Sequence, residues 1–223
     1  MNTKLSFYQE THQKEKGYAG STYHVPGLCK TRAFKQWITE HQKQEVRMLD
    51  IGCGKGMFLK DLVHYLSHNN TIKPKKVTGL DLLQSPDNIF SDIPCFEFVK
   101  QDIDGQSLSF PDNCFDLVIL NHVLEHVFET EKLLKEIRRI LANTGLAVIS
   151  VPNIAAWINR FLFLFGSQPL GSEVGTESIS YGFWPTAGQK RLAEYKPAGH
   201  IRDFTPRALA EICKTCGLRP VGW

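Results

Sequence analysis

The chain lacks any uninterrupted apolar run of the about 18 residues that a membrane-spanning helix needs. Its opening segment, Met-Asn-Thr-Lys-Leu-Ser-Phe-Tyr-Gln-Glu, has no apolar signal-peptide core, so cytoplasmic residence is expected. Excess charge is scarce: 26 Lys and Arg stand against 23 Asp and Glu, a net of +3. No concentrated basic block is present, so no nucleic-acid partner is expected. The 6 cysteines are scattered through 223 residues, a length that suits one domain with its own core, and a disulfide scaffold is not expected. Cys213-x-x-Cys216 lacks a second ligand pair and sits in a helical pattern, which reads as two core-facing thiols rather than a metal half-site. Two common nucleotide motifs are missing as well. Counting from Gly52, the last glycine of a G-x-G-x-x-G fingerprint is replaced by Met57. A P-loop fails because Lys55 is followed by Gly56 and its leading position is Leu49.

What is present is the composition of a globular protein, 42% hydrophobic and 22% charged. A short apolar strand, Val46–Ile51, runs into Gly52-x-Gly54-x-Gly56 and then a helix-compatible segment. Glycines there permit a tight turn and close approach of a ligand to the backbone, and the N–H groups of the next helix face that ligand. A second strand ends in Asp81, where a β-α-β unit brings an acid to ribose hydroxyls. An adenosine-type cofactor follows. Strands are expected at 46–51, 76–81, 96–100, 115–121 and 145–151, the last two apolar enough to be buried on both faces. Helices fit at 57–68, 84–90 and 130–141. The last carries the apolar stripe Leu133, Leu134, Ile137, Ile140 and Leu141 and stops at Asn143-Thr-Gly145. The alternation predicts a doubly wound α/β fold with a mostly parallel sheet. Its ligand lies at the carboxyl ends of the strands, where Gly52–Gly56, Asp81, Asp102 and Asn121 converge.

Outside this core, Thr31–Gln44 reads as a helix with Phe34, Trp37, Ile38 and His41 on one side. Tyr18, Tyr23, His24 and Pro26 precede it, either folding over the cofactor or lying in a frayed terminus. After Val151-Pro-Asn153 the alternation breaks. The run Ile154–Phe165 is apolar, with Trp157, Phe161, Leu164 and Phe165 on one helical face and Asn159 and Arg160 off it. It reads as a helix packed on the sheet or lid, or as an apolar substrate wall or peripheral membrane contact. Tyr181, Phe183 and Trp184 could complete that cover. The Gly/Ser/Pro-rich stretch 166–188 is long enough to be an inserted lid before the last helix. That helix, Thr205–Cys216, starts at Thr205-Pro206 and ends at Gly217, and Leu218–Trp223 starts a last strand. The expected division is an N-terminal helical cover (1–45), a cofactor core (46–152), a lid or substrate insertion (153–200) and a final helix and strand (201–223).

Asp50-x-Gly52-x-Gly54-x-Gly56 resembles motif I of the class I S-adenosylmethionine-dependent methyltransferases. Asp81 matches their ribose-binding acid, with Leu82 beside it. Gln101-Asp102-Ile103 matches the loop that contacts adenine, and Phe115–Val127 resembles their fourth strand and following turn. The resemblance implies S-adenosylmethionine as cofactor, held by Asp50, Gly52, Gly54, Gly56, Asp81 and Leu82, with Asp102, Ile103 and Asn121 completing the site. The V-P-N segment and the Gly199-His-Ile-Arg-Asp-Phe-Thr205 turn look like the group of quinone, natural-product and surface-glycan methyltransferases. That likeness implies O-methylation of a small or lipid-linked acceptor. An RNA or protein methyltransferase, or a silent cofactor-binding partner subunit, are the alternatives. His122 directly follows the tip of strand four and is the candidate catalytic base. The turn also resembles ubiquinone-pathway and small-RNA methyltransferases, in which an E-x-x-E-H turn and a later histidine can hold a divalent metal. Here His122 replaces the first acid of that pattern, beside Glu125, His126 and His200. This argues against a carboxylate-rich magnesium site; no metal is assigned, and a zinc-type site of these four residues remains the competitor to a base. Glu125 and His126 read first as a buried ion pair or cap.

Overall fold

The structure is a computed structural model that describes residues 25–42, 44–68, 72–82, 90–93, 95–183 and 196–222. These residues fall into two compact units, one within Tyr23–Ser150 and Ala210–Trp223, the other within Val151–Leu209. The expected helix at 84–90, the aromatic cover at Tyr18, Tyr23 and His24, and Trp184 lie at or beyond the edge of the described residues.

The first unit holds a sheet of five parallel strands: β1 (Glu45–Ile51), β2 (Lys73–Asp81), β3 (Phe96–Lys100), β4 (Phe115–Asn121) and β5 (Leu141–Ser150). Their order is β3-β2-β1-β4-β5. The central strands are buried on both faces: Met48–Ile51, Val77–Leu80 and Leu117–Leu120 are each a continuous buried run. The fifth strand departs from that expectation. It lies at the sheet edge, and most of its residues are only half-buried. It also begins at Leu141, directly after the preceding helix. Phe115 pairs with Leu141, but Leu117 pairs with Leu146, so residues 142–145 stand opposite Asp116 alone and three of them are extra. The Asn143-Thr-Gly145 stop signal is thus a bulge inside the strand rather than a loop before it.

Among the described residues, four whole helices pack in this unit for reasons visible in their sequences. The first two described are α1 (Val25–Lys30) and α2 (Arg32–Glu40). The Thr31 hydroxyl accepts the Phe34 N–H and caps α2, whose Phe34 and Trp37 are buried. Helix α3 (Met57–His68) presents Leu59, Leu62, Val63 and Leu66 at helical spacing, and these join Val46, Met48, Val77, Leu117 and Ile119 in one apolar cluster. Helix α4 (Thr130–Ile140) contacts β5 and buries Leu133, Leu134, Ile137 and Ile140. From its outer side Arg139 donates to the carbonyls of Phe110 and Leu108 at 2.7 and 2.9 Å. Glu136 accepts the Leu108 N–H at 2.7 Å, which ties down the loop that follows β3.

In the second unit, Asn153 and Phe204 form a parallel bridge. Helix α5 (Trp157–Leu164) follows, and the described residues 166–183 form neither helix nor strand. The final helix α6 (Pro206–Thr215), which from Ala210 onward belongs to the first unit, begins where Thr205 Oγ1 accepts the Ala208 N–H at 3.1 Å. Cys213 and Cys216 are buried and reduced, and burial pushes the Cys213 thiol up to about 11. Of the expected last strand, residues 218–222 pair with no strand among the described residues, and Trp223 lies outside them.

Candidate active site

Parallel strands direct their carboxyl ends to one edge of the sheet, and the topology collects the sequence-selected residues there. Asp50 is the penultimate residue of β1, Asp81 ends β2, and Asn121 ends β4. Leu82 follows β2, while Asp102 and Ile103 follow β3; all three are half-buried. Because the strands lie in the order β3-β2-β1-β4, these positions form one continuous row.

The glycine turn is built as its sequence suggests. Gly52, Gly54 and Gly56 have φ of 73°, 51° and 76°, a region L side chains rarely occupy. Leu80 O accepts the Gly52 and Cys53 N–H groups at 2.7 and 3.1 Å, which moors the turn to β2. A Cβ on Gly52 would stand 2.4 Å from Val123 Cγ2, so the turn after β4 needs glycine there. At Gly54 the same position is open space. The Gly54 N–H donates to Asp81 Oδ2 at 2.8 Å, so the acid reaches across the turn. Asp50 is buried, and burial together with the charge of Asp81 pushes its carboxyl up to about 8. Burial also raises the Cys53 thiol, which makes it a poor nucleophile. Asp102 Oδ1 accepts the Asp104 N–H at 3.0 Å, a local turn that shapes the loop after β3. The Asp104 carboxylate in turn accepts the Phe128 and Glu129 N–H groups ahead of α4, a link that no sequence motif signalled.

At the tip of β4, the Ser150 hydroxyl donates to Asn121 Oδ1, and the His122 N–H donates to Ser150 O at 3.1 Å. His122 has a φ of 54°, a conformation that costs a non-glycine residue energy and that clusters at functional sites. Its Nδ1 lies 3.2 Å from Oε1 of Glu125, which is fully buried in the short 3-10 turn Leu124–His126. Glu125 therefore pairs with His122, a buried carboxylate in an ion pair at the tip of β4. An ionised carboxylate only accepts, so the neutral imidazole that suits this contact carries its proton on Nδ1 and its lone pair on Nε2. His200 lies in the other unit. Its Nδ1 donates to Gly171 O at 2.7 Å, and the Glu173 carboxylate accepts the N–H groups of Ala198, Gly199 and His200. Sequence reasoning missed Glu173, since nothing local links it to residues so far along the chain.

A family model described as a methyltransferase domain matches residues 23–221. The chain belongs to that family. Among curated relatives of this methyltransferase, sterol 24-C-methyltransferase of Aspergillus fumigatus is 26% identical over 57% of the chain and 36% of its own length. Ajmaline N-methyltransferase of Rauvolfia serpentina is 27% identical over 52% of the chain and 39% of its own length. The chain spans less than half the length of these relatives. Among solved structures, 1,6-didemethyltoxoflavin-N1-methyltransferase of Burkholderia thailandensis has the same fold, with a TM-score of 0.55 and 17% identity over 98% of this chain and 77% of that one. That protein was solved with bound S-adenosylhomocysteine. The methyltransferase is thus of class I, the class whose cofactor is S-adenosylmethionine. The glycine turn fits this group: three left-handed glycines, open space at Gly54 and an acid at the end of β2 make a cradle that side chains would fill.

Proposed function

We propose that this methyltransferase acts on an oxygen of a small or lipid-linked acceptor, with His122 as the base. The observation that carries this is the strained His122 at the tip of β4, fixed through Nδ1 by buried Glu125. In this reading Gly52, Gly54 and Gly56 cradle the cofactor, Asp81 and Leu82 meet its ribose, and Asp102 and Ile103 meet adenine. Asp50 and Asn121 flank its amino-acid end. When bound, the cofactor would supply an electrophilic methyl carbon, its S–CH3 bond breaking so that S-adenosylhomocysteine leaves. His122 Nε2 takes the hydroxyl proton as the acceptor oxygen forms its new bond, and Glu125 stabilises the imidazolium that results. The relatives are named for methylation at carbon and nitrogen. Oxygen is favoured here because a hydroxyl gains most from a neighbouring base. Residues 46–152 then carry the cofactor, and 153–200 select the acceptor.

The test is to incubate the chain with methyl-labelled S-adenosylmethionine and separate polar and lipid extracts, then locate the label by NMR. An O-methyl product formed equally with and without chelator supports the reading. Label on nitrogen or carbon, or activity abolished by chelator, overturns it.

A further inference from the structure

Helix α5 is turned the opposite way from an ordinary surface helix. Its buried residue is the polar Asn159, 2% exposed. The Asn159 amide accepts the Leu170 N–H at 2.8 Å and donates to Leu170 O at 3.0 Å, so it anchors the helix through backbone hydrogen bonds. The apolar side faces outward. Trp157, Phe161 and Leu164 recur at i, i+4 and i+7 with exposures of 78%, 56% and 76%. Phe163 and Phe165 are exposed as well, and the Phe161 and Phe165 rings pack at 4.8 Å. Contiguous outward apolar surface of this kind marks an interaction site.

We propose that this face of α5 docks on an anionic lipid surface. Three observations select that occupant. From Val151 to Ser172 the sequence contains no acid, and its single charge is the exposed Arg160, which suits a negative surface. The outward side chains are aromatic and aliphatic, the set that seats a helix at the boundary between headgroups and acyl chains. The helix has 8 residues, far short of a span, and no helix among the described residues is long and apolar enough to cross a membrane. A second copy of the chain fits less well. Trp157, Phe161, Leu164 and Phe165, the four on this face, offer about 500 Å², below the roughly 800 Å² per partner of a stable interface. Docking deepens the lipid-linked reading above and rests on it for its use. Lipid binding is nevertheless measured without methyl transfer, so either can fail alone.

The experiment is co-sedimentation of the full chain with phosphatidylcholine vesicles and with mixed phosphatidylcholine–phosphatidylglycerol vesicles. The chain is expected to bind the mixed vesicles more tightly. Trp157→Ser with Phe161→Ser should weaken that binding by about tenfold or more, since both side chains lose their apolar partner. Arg160→Glu should weaken it several-fold on mixed vesicles only, whereas Val221→Ser, an exposed apolar site elsewhere, should bind as the parent does. Circular dichroism checks each fold. If the double variant fails that check, Leu164→Ser alone replaces it. No binding to mixed vesicles overturns the proposal, as does binding unaffected by these substitutions. A dimer lost in the double variant, without vesicle binding, would assign the face to a second copy instead.

Discussion

Asp50 is the residue at which burial and charge conflict most directly. Its carboxyl ionises near pH 3.8 when exposed, but burial and Asp81 raise this to about 8 in the folded chain. Between those values the folded state holds a proton that the unfolded state has released. Stability therefore falls as pH rises from about 4 to 8, by at most about 1.4 kcal/mol per unit. Above pH 8 both states are ionised and this contribution to the slope vanishes. Asp50→Asn should flatten the slope in urea titrations across this range, and an unchanged slope would mean that Asp50 is ionised in the fold. His122 carries a different expectation. His122→Ala should lower turnover by about 10²–10⁴-fold while S-adenosylmethionine affinity stays nearly constant. Glu125→Gln keeps an acceptor for Nδ1–H and should cost less than Glu125→Ala. If His122→Ala retains full turnover on the identified acceptor, the strained turn serves the fold alone.

At the scale of elements, the strand tips were legible because their signals are local. Glycine spacing, an acid ending a strand and a capping threonine each report on a few neighbouring residues, and all appear where expected. The edge position of β5 was not legible, because apolar content does not distinguish a central strand from an edge strand. Nor was the orientation of α5. Its aromatic stripe was readable, but periodicity says which residues share a face and not which way that face points. The Asn159 bonds to Leu170 decide that, and they join residues 11 apart. The His122–Glu125 pair was not legible either, since it depends on the 3-10 turn that carries Glu125 back beneath His122. The closeness of two loops was likewise invisible: Gly52 is required partly because Val123 stands against it. Gly52→Ala should abolish cofactor binding measured by calorimetry. Adding Val123→Ala should recover part of it by removing the clash, while the φ of 73° keeps the rest from returning. Full recovery would show that the clash alone matters.

For the whole molecule, the sharpest expectation is which ligand stabilises it. A ligand that binds only the folded state at a hundred times its Kd adds about 2.7 kcal/mol. For a chain of this size that corresponds to a rise in Tm of roughly 5–10 °C. S-adenosylmethionine and S-adenosylhomocysteine should both produce such a shift. NAD should not, because the turn has Met57 where a dinucleotide fingerprint needs glycine. Two units need not melt together, so the shift belongs to the transition that reports the sheet unit. Asp81→Ala separates the site from general stabilisation. Its carboxylate accepts the Gly54 N–H, so the unliganded chain should lose some stability. Losing the ribose contact should further weaken S-adenosylhomocysteine by about 1.5–3 kcal/mol per charge-assisted bond. The variant's own Tm is the baseline, and a ligand-induced rise equal to the parent's at the same subsaturating concentration would remove Asp81 from the cofactor site.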